Sequence, residues 1–259
     1  MSLLSKIIGD NHQLKGPDIG KAPSYTIDLS RTKLTIPVPA KTLMIPTVKQ
    51  QASLDITNSV LYKKWNMDSR TMSVDIHGNG WEFKGKFGRS FGYIMFDVRL
   101  IKIEQEVSSF SFFDVNNLKE WLLHYVDSIW GKFNRETTEE YADAPPKKHL
   151  WTYPTSKEHL MKSNHHAGGV YYFVSLPGDG IKSHHWVPIG SQYLLKFDFV
   201  PNPLDCDLYS PEHNFPSATE QFIKVFMQNV SITLSPDGLA QKKAAEQKLL
   251  SSKENLESS

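Results

Sequence analysis

Apolar residues alternate with polar ones along most of this chain. Tyr193, Leu195, Phe197 and Phe199 recur at every second position, as do Tyr25, Ile27 and Leu29, then Leu34, Ile36 and Val38. Met72, Val74 and Ile76 repeat the pattern, followed by Ile94, Phe96, Val98 and Leu100, by Val170, Tyr172, Val174 and Leu176, and by Val230, Ile232 and Leu234. A period of two places these side chains on one face of an extended strand. Only one long stretch has helical spacing: Leu118, Trp121, Leu122, Tyr125, Ile129 and Phe133, with Asp114 or Asn116 as the cap. Helices are too few to cover both faces of a parallel sheet. The predicted fold class is therefore α+β, mainly antiparallel β-sheet with helices on a face or an end.

Finer expectations follow from punctuation. The amphipathic helix spans about 115–132, with Gly131 at its end. Ser217-Ala218-Thr219-Glu220 has the capping-box form and starts a second helix over about 218–228, although alternation from Phe222 onward also fits a strand. Residues 239–250 favour a helix by composition, frayed for want of an apolar stripe. His77-Gly78-Asn79-Gly80 and Pro177-Gly178-Asp179-Gly180 read as turns. Between Leu100 and Ile101/Ile103 the apolar parity shifts, which predicts a bulge. The organisation is a polar lead-in at 1–24, one β-rich domain at 25–236 with a seam in the polar segment 134–149, and a charged helical tail at 237–259.

Charge excludes one class of partner. Lys and Arg number 29 against 28 Asp and Glu, so no global positive field steers the chain to nucleic acid. Mean hydropathy is −0.40, and no apolar run approaches the length of a membrane span. The first ten residues lack a secretory apolar core, and Cys206 is the single cysteine, so a cytoplasmic location is expected. Cys206 lies between Asp205 and Asp207, which disfavour a thiolate nucleophile.

Arg89-Ser90-Phe91-Gly92-Tyr93-Ile94-Met95-Phe96 resembles the RNP1 motif of the RNA-recognition-motif family. The resemblance implies a strand on which Phe91 and Tyr93 stack bases while Arg89 meets phosphate. It covers eight residues of 259, and its surroundings depart from the family. Residues 59–71 offer at most one short helix, and apolar alternation continues through Ile103 where a helix should begin. The reading preferred here is a strand buried on both faces.

Seven of ten histidines fall between His149 and His213, including the pairs His165-His166 and His184-His185. Pairing Leu176 with Ile181 across the Pro177–Gly180 turn sets His184 opposite Phe173 and His185 opposite Tyr172. His166 then lies about 20 Å from His185, too far to share a metal. Neighbouring histidines on a strand point to opposite faces. His184-His185-Trp186 is instead expected to be a recognition edge, one face packed inward and the other open to solvent or a ligand, able to titrate near neutral pH.

No nucleophile elbow, phosphate loop or dinucleotide fingerprint is present. The expected function is that of a non-catalytic binding protein, with a protein partner or a small apolar ligand, without a cofactor, and with no nucleic-acid or membrane partner. Six Trp, ten Tyr and fourteen Phe exceed what the apolar stripes use, which favours a pocket or interface. The alternatives are a metal- or histidine-dependent enzyme using the 149–213 region and a single-stranded RNA binder using 89–96.

Overall fold

The computed structural model describes residues 14–43, 50–65, 68–104, 110–140, 150–163, 169–176, 180–204 and 213–257. The alternating segments become strands of two sheets. β1 (Ser24–Leu29), β2 (Thr32–Pro37) and β3 (Ser53–Leu54) join β11 (Ser231–Thr233) in a small sheet of order β11-β2-β1-β3. The large sheet has seven strands in the order β4-β5-β6-β10-β9-β8-β7, all neighbours antiparallel. Its members are β4 (Lys63–Trp65), β5 (Asp68–Lys84), β6 (Ser90–Ile103), β7 (Met161–Ser163), β8 (Gly169–Leu176), β9 (Gly180–Pro188) and β10 (Tyr193–Pro203). Helices cover it unevenly, and the class is α+β as the alternation required.

The two faces of the large sheet carry separate cores. On one face Ile94, Phe96, Val98 and Leu100 of β6 and Leu195, Phe197 and Phe199 of β10 meet the small sheet and helix α3 (Phe215–Gln228). Trp81, Phe96, Phe222 and Phe226 pack ring against ring at its centre, with centroids 4.6–6.0 Å apart. On the other face Ile101, Ile103, Leu194, Tyr172 and Trp186 meet helix α1 (Val115–Val126). Asp114 caps α1 by accepting from the Asn116 amide at 2.9 Å. Leu118, Leu122 and Tyr125 are buried as the helical stripe predicts, while Trp121 and Ile129 are half-buried.

Several local expectations are corrected. β6 carries no bulge at the parity shift, because its register with β10 is continuous from Lys102 to Gly92. Its parity shift marks the point where Leu100 belongs to one core and Ile101 and Ile103 to the other. The register irregularities lie instead at Ile76 of β5, passed over between Asp75 and His77, and at Phe91 of β6, passed over between Gly92 and Ser90. His77–Gly80 is not a turn: β5 runs straight through it, held by pairing to Val98, Asp97, Phe96 and Met95. Cooperative strand pairing outweighs the local preference of two glycines for a turn.

Gly131 does not end the first helix. The chain passes through a π-helical turn (Asp127–Gly131) into α2 (Lys132–Glu140), so helix occupies the first part of the expected 134–149 seam and 141–149 lies outside the described residues. Gly131 is needed for packing, since a Cβ there would come 2.6 Å from the Tyr153 hydroxyl. That hydroxyl donates to Asp127 at 3.0 Å, and Arg135 donates to the same carboxylate at 3.2 Å. α3 begins before the Ser217–Glu220 motif, with Asn214 as its cap residue and Pro216 in its first turn. Ser217 does not act as the cap; its hydroxyl donates to the Asn214 carbonyl at 3.0 Å. The last helix, α4 (Pro236–Glu257), is longer than expected at both ends.

Candidate functional site

β9 sets the site because it exposes its alternate side chains to two different layers. Leu176 pairs with Gly180, so His184 faces Tyr172 and His185 faces Tyr171. This is one residue off the expected register, and residues 177–179 of the expected Pro177–Gly180 turn lie outside the described residues. The two histidines do point to opposite faces. Neither is on an exposed edge: His184, His185 and Trp186 are 5%, 7% and 0% exposed. The expected solvent-facing side of this tripeptide is therefore corrected, because β8 and β10 flank β9 and both sheet faces above it are covered.

On the α1 side, β10 contributes Lys196 and Asp198. The alternation of Leu195, Phe197 and Phe199 suggested a half-buried strand with this polar side in water, yet Lys196 and Asp198 are both 6% exposed. Asp198 accepts from both neighbours, with His184 Nδ1 at 2.5 Å and Lys196 Nζ at 2.6 Å. Burial opposes the Asp198 charge, but Lys196 and His184 outweigh it and hold the carboxyl well below the usual range. Burial lowers the His184 pKa, with Asp198 only partly offsetting it, so the ring is neutral at pH 7. A neutral ring that gives its Nδ1 proton to Asp198 leaves Nε2 as a bare acceptor, and Nε2 has no partner among the described residues.

Asp97 sits across from Asp198 on β6, and Arg99 reaches Asp97 at 3.0 Å and Asp75 at 3.1 Å. Burial, then the Asp198 charge, push the Asp97 carboxyl up to about 7. Aromatic rings roof this array. Lys196 Nζ lies 5.2 Å from the Trp186 ring centre and 5.9 Å from that of Tyr125. The π-helical turn carries Trp130 to 6.5 Å from the His184 ring and stacks it on Trp151 at 4.4 Å. The array is an ionic floor under α1, and neither cleft described below is lined by His184, Lys196 or Asp198.

On the opposite face β9 presents Ser183 and His185. Ser183 Oγ lies 2.8 Å from His185 Nε2, and Tyr171 stacks on the imidazole with ring centres 5.3 Å apart. Ser183 is also the floor of a cleft of about 180 Å³ between β8, β9, the end of β10 and α3. Its apolar walls are Phe173, Ile181, Pro201, Pro216 and Ile223, and its polar groups are Ser183, Thr219 and Glu220. The Thr219 hydroxyl is spent on the Phe215 and Pro216 carbonyls at 3.0 and 2.9 Å. The polar groups left to a ligand are the Ser183 hydroxyl at the floor and the exposed Glu220 carboxylate at the rim. A second cleft of about 260 Å³, lined by Phe112, Val115, Lys162, Lys242 and Glu246 among others, lies at the start of α1 and is more polar.

The remaining candidates separate. Phe91 is buried with its ring edge-on to His213 at 5.8 Å, so it is not available to a base. Arg89 lies over the Phe91 ring at 5.1 Å, and Tyr93 is half-buried. His213 accepts from the Phe215 amide at 3.2 Å, and His159 accepts from that of Thr155 at 3.3 Å. His149, His165, His166 and Cys206 lie outside the described residues. Among the described residues no three His, Cys, Asp or Glu side chains gather as a metal site. No protein-family model, curated protein or solved structure matches this chain. Among the described residues no helix is long and apolar enough to cross a membrane.

Sequence reading missed Ser183, the cleft, and the burial of Lys196 and Asp198. Two signals were available. Ser183 and His185 share a strand face at i and i+2, and Lys196-Phe197-Asp198 interrupts an otherwise apolar stretch from Leu194 to Phe199.

Proposed function

We propose that this protein binds a small, mainly apolar ligand in the cleft floored by Ser183. The observation that carries this reading is the composition of the cleft: five apolar walls, the Ser183 and Thr219 hydroxyls, of which Thr219 is committed to backbone carbonyls, and one carboxylate at the rim. Ligand sites have this mixture, with apolar bulk for affinity and a few polar groups for orientation. Its size sets the ligand class. An apolar cavity of about 150 Å³ accepts benzene, so about 180 Å³ accommodates one ring with a short substituent. Glu220 favours a substituent that is cationic or donates a hydrogen bond.

Benzylamine and toluene are suitable probes, followed through the methyl resonances of Ile181 and Ile223. Both probes should give saturable shifts confined to the cleft, with dissociation constants of about 1 mM or below, and benzylamine should bind the more tightly. Ile181→Trp should remove the response to both. Shifts that do not saturate, or that persist in Ile181→Trp, would refute the proposal.

A second reading, a histidine-dependent enzyme acting by acyl transfer, draws on the Ser183–His185 contact of 2.8 Å at the same floor. In that chemistry His185 Nε2 takes the Ser183 proton as Oγ attacks. A fluorophosphonate tests it directly. The enzyme reading requires fluoride release and a phosphonyl adduct on Ser183 that Ser183→Ala and His185→Gln both lose. The binding reading requires no adduct.

A further inference from the structure

We propose that the cleft of about 260 Å³ beside α1 is a second ligand site, and that it takes a bicyclic aromatic carboxylate. Every residue lining it lies among the described ones. β7 is the outer strand of the large sheet, and its Lys162 stands directly opposite Val170 of β8. Directly paired residues share a sheet face, so the Lys162 side chain lies on the side where Val170 enters the α1 core. Pro188 follows Trp186 by two residues on β9 and shares that face. Val115 and Leu118 at the start of α1, with Lys242 and Glu246 of α4, complete the walls.

These walls are fixed by contacts within the chain. The Phe112 amide donates to the Ser191 carbonyl at 3.0 Å, and the Ser191 amide donates to Gln241 Oε1 of α4 at 2.8 Å. One residue between β9 and β10 therefore ties the segment leading into α1 to the last helix. α4 also runs close to that connection, since a Cβ at Gly238 would come 3.0 Å from the Ile189 carbonyl oxygen. A helix without an apolar stripe gains little from packing, so these polar and close backbone contacts are what set its Lys242–Glu246 side at the cleft. Walls held in place spare a ligand the cost of ordering them.

The lining selects the ligand. Phe112, Phe113, Val115, Leu118, Val170 and Pro188 are apolar, and the fold leaves Val115 40% exposed. The charged groups are two lysines and one glutamate. Lys242 and Glu246 are 3.9 Å apart, a loose pair across one helical turn that contributes little. Lys162 is exposed, and its ammonium makes no ion pair or hydrogen bond among the described residues. A ligand carboxylate supplies the acceptor that Lys162 lacks and competes with Glu246 for Lys242. A cavity of about 150 Å³ holds one benzene ring, so about 260 Å³ suits two fused rings. The site is independent of the cleft at Ser183, which is smaller and is lined by a carboxylate and no cation.

2-Naphthoate tests the proposal on the full chain, followed through the methyl resonances of Val115 and Val170, with 2-naphthylmethylamine as its cationic counterpart. Naphthoate should give saturable shifts at those methyls, with a dissociation constant of about 1 mM or below. The amine should bind at least about tenfold more weakly. Lys162→Glu combined with Lys242→Gln should weaken naphthoate at least about tenfold and remove its advantage over the amine. Val115→Trp should abolish the response to both. Lys162 and Val115 are exposed, so the melting temperature should stay near that of wild type and a folding defect is separable. Equal binding of the two probes to wild type, full retention in the lysine double variant, shifts that do not saturate, or shifts centred on Ile181 and Ile223 instead would each overturn the proposal.

Discussion

The two faces of the large sheet are built on opposite plans, although the same strands supply both. The α3 face is centred on aromatic rings, Trp81, Phe96, Phe199 and Phe226, interlocked and fully or nearly fully buried, with the polar rings of His77 and His185 beside them. The α1 face buries an ionic array of Lys196, Asp198 and His184 under Trp186 and Tyr125. An apolar core gains stability from every methylene it hides. A buried ion pair roughly breaks even once desolvation is counted, and its strength is that removing one partner is severely penalised. The α3 face thus supplies cohesion and, at its margin, an apolar cleft. The α1 face supplies a fixed register between β9 and β10, because only one alignment joins His184 to Asp198.

The contrast can be broken first at Asp198. Asp198→Ala leaves Lys196 charged and without its carboxylate, and urea unfolding should show a loss of about 3–5 kcal/mol. Replacing both partners together, Lys196→Met with Asp198→Leu, should recover most of that loss. If the single substitution is mild, the array does not hold the face together. On the apolar side Trp81→Ala should also cost about 3–5 kcal/mol, since the ring is wholly buried and little can close over the hole. No second substitution should rescue it in the way that the Lys196–Asp198 double replacement does. Trp121→Ala, at a half-buried position, should cost less than Trp81→Ala, as denaturation midpoints would show.

The α1 face also responds to pH. The folded chain keeps a proton on Asp97 up to about pH 7, whereas the unfolded chain releases it near the ordinary 3.8. The folded state binds more protons across that interval, so this group's contribution to stability falls as pH rises from about 4 to 7. His184 acts the other way. Its lowered pKa means that the unfolded chain takes up a proton below about 6.5 that the folded chain refuses, so stability is lost as pH falls through that value. Asp97→Asn should match wild type near pH 4 and be the more stable above pH 7, as seen in chemical unfolding across that range. Equal stability of the two proteins above pH 7 would show that Asp97 ionises without strain.

What was legible in the sequence follows the same division. Where one face of a strand is apolar and its core is on that face, alternation located the strand: Ile94–Leu100, Leu195–Phe199 and Val170–Val174 all lie where the period of two put them. The stripe of α1 was legible because its burying surface lies on one side only. Alternation does not reveal whether the polar face is wet. Lys196 and Asp198 therefore looked like ordinary surface residues, and His184 like part of an edge. Burial of that second face depends on α1, whose docking is a long-range event that no local pattern encodes. The cleft was invisible for a related reason, since its walls come from β8, β9, β10 and α3 and share no spacing.

The most direct measurement is a thermal-unfolding titration of wild type and Ile181→Trp with benzylamine. A ligand that binds only the folded protein stabilises it as the logarithm of its concentration over the dissociation constant, about 2.7 kcal/mol at a hundredfold excess. The cleft as ligand site predicts a melting temperature that climbs with benzylamine in wild type and stays flat in Ile181→Trp. Parallel climbs in both proteins, or no climb in wild type, would contradict it.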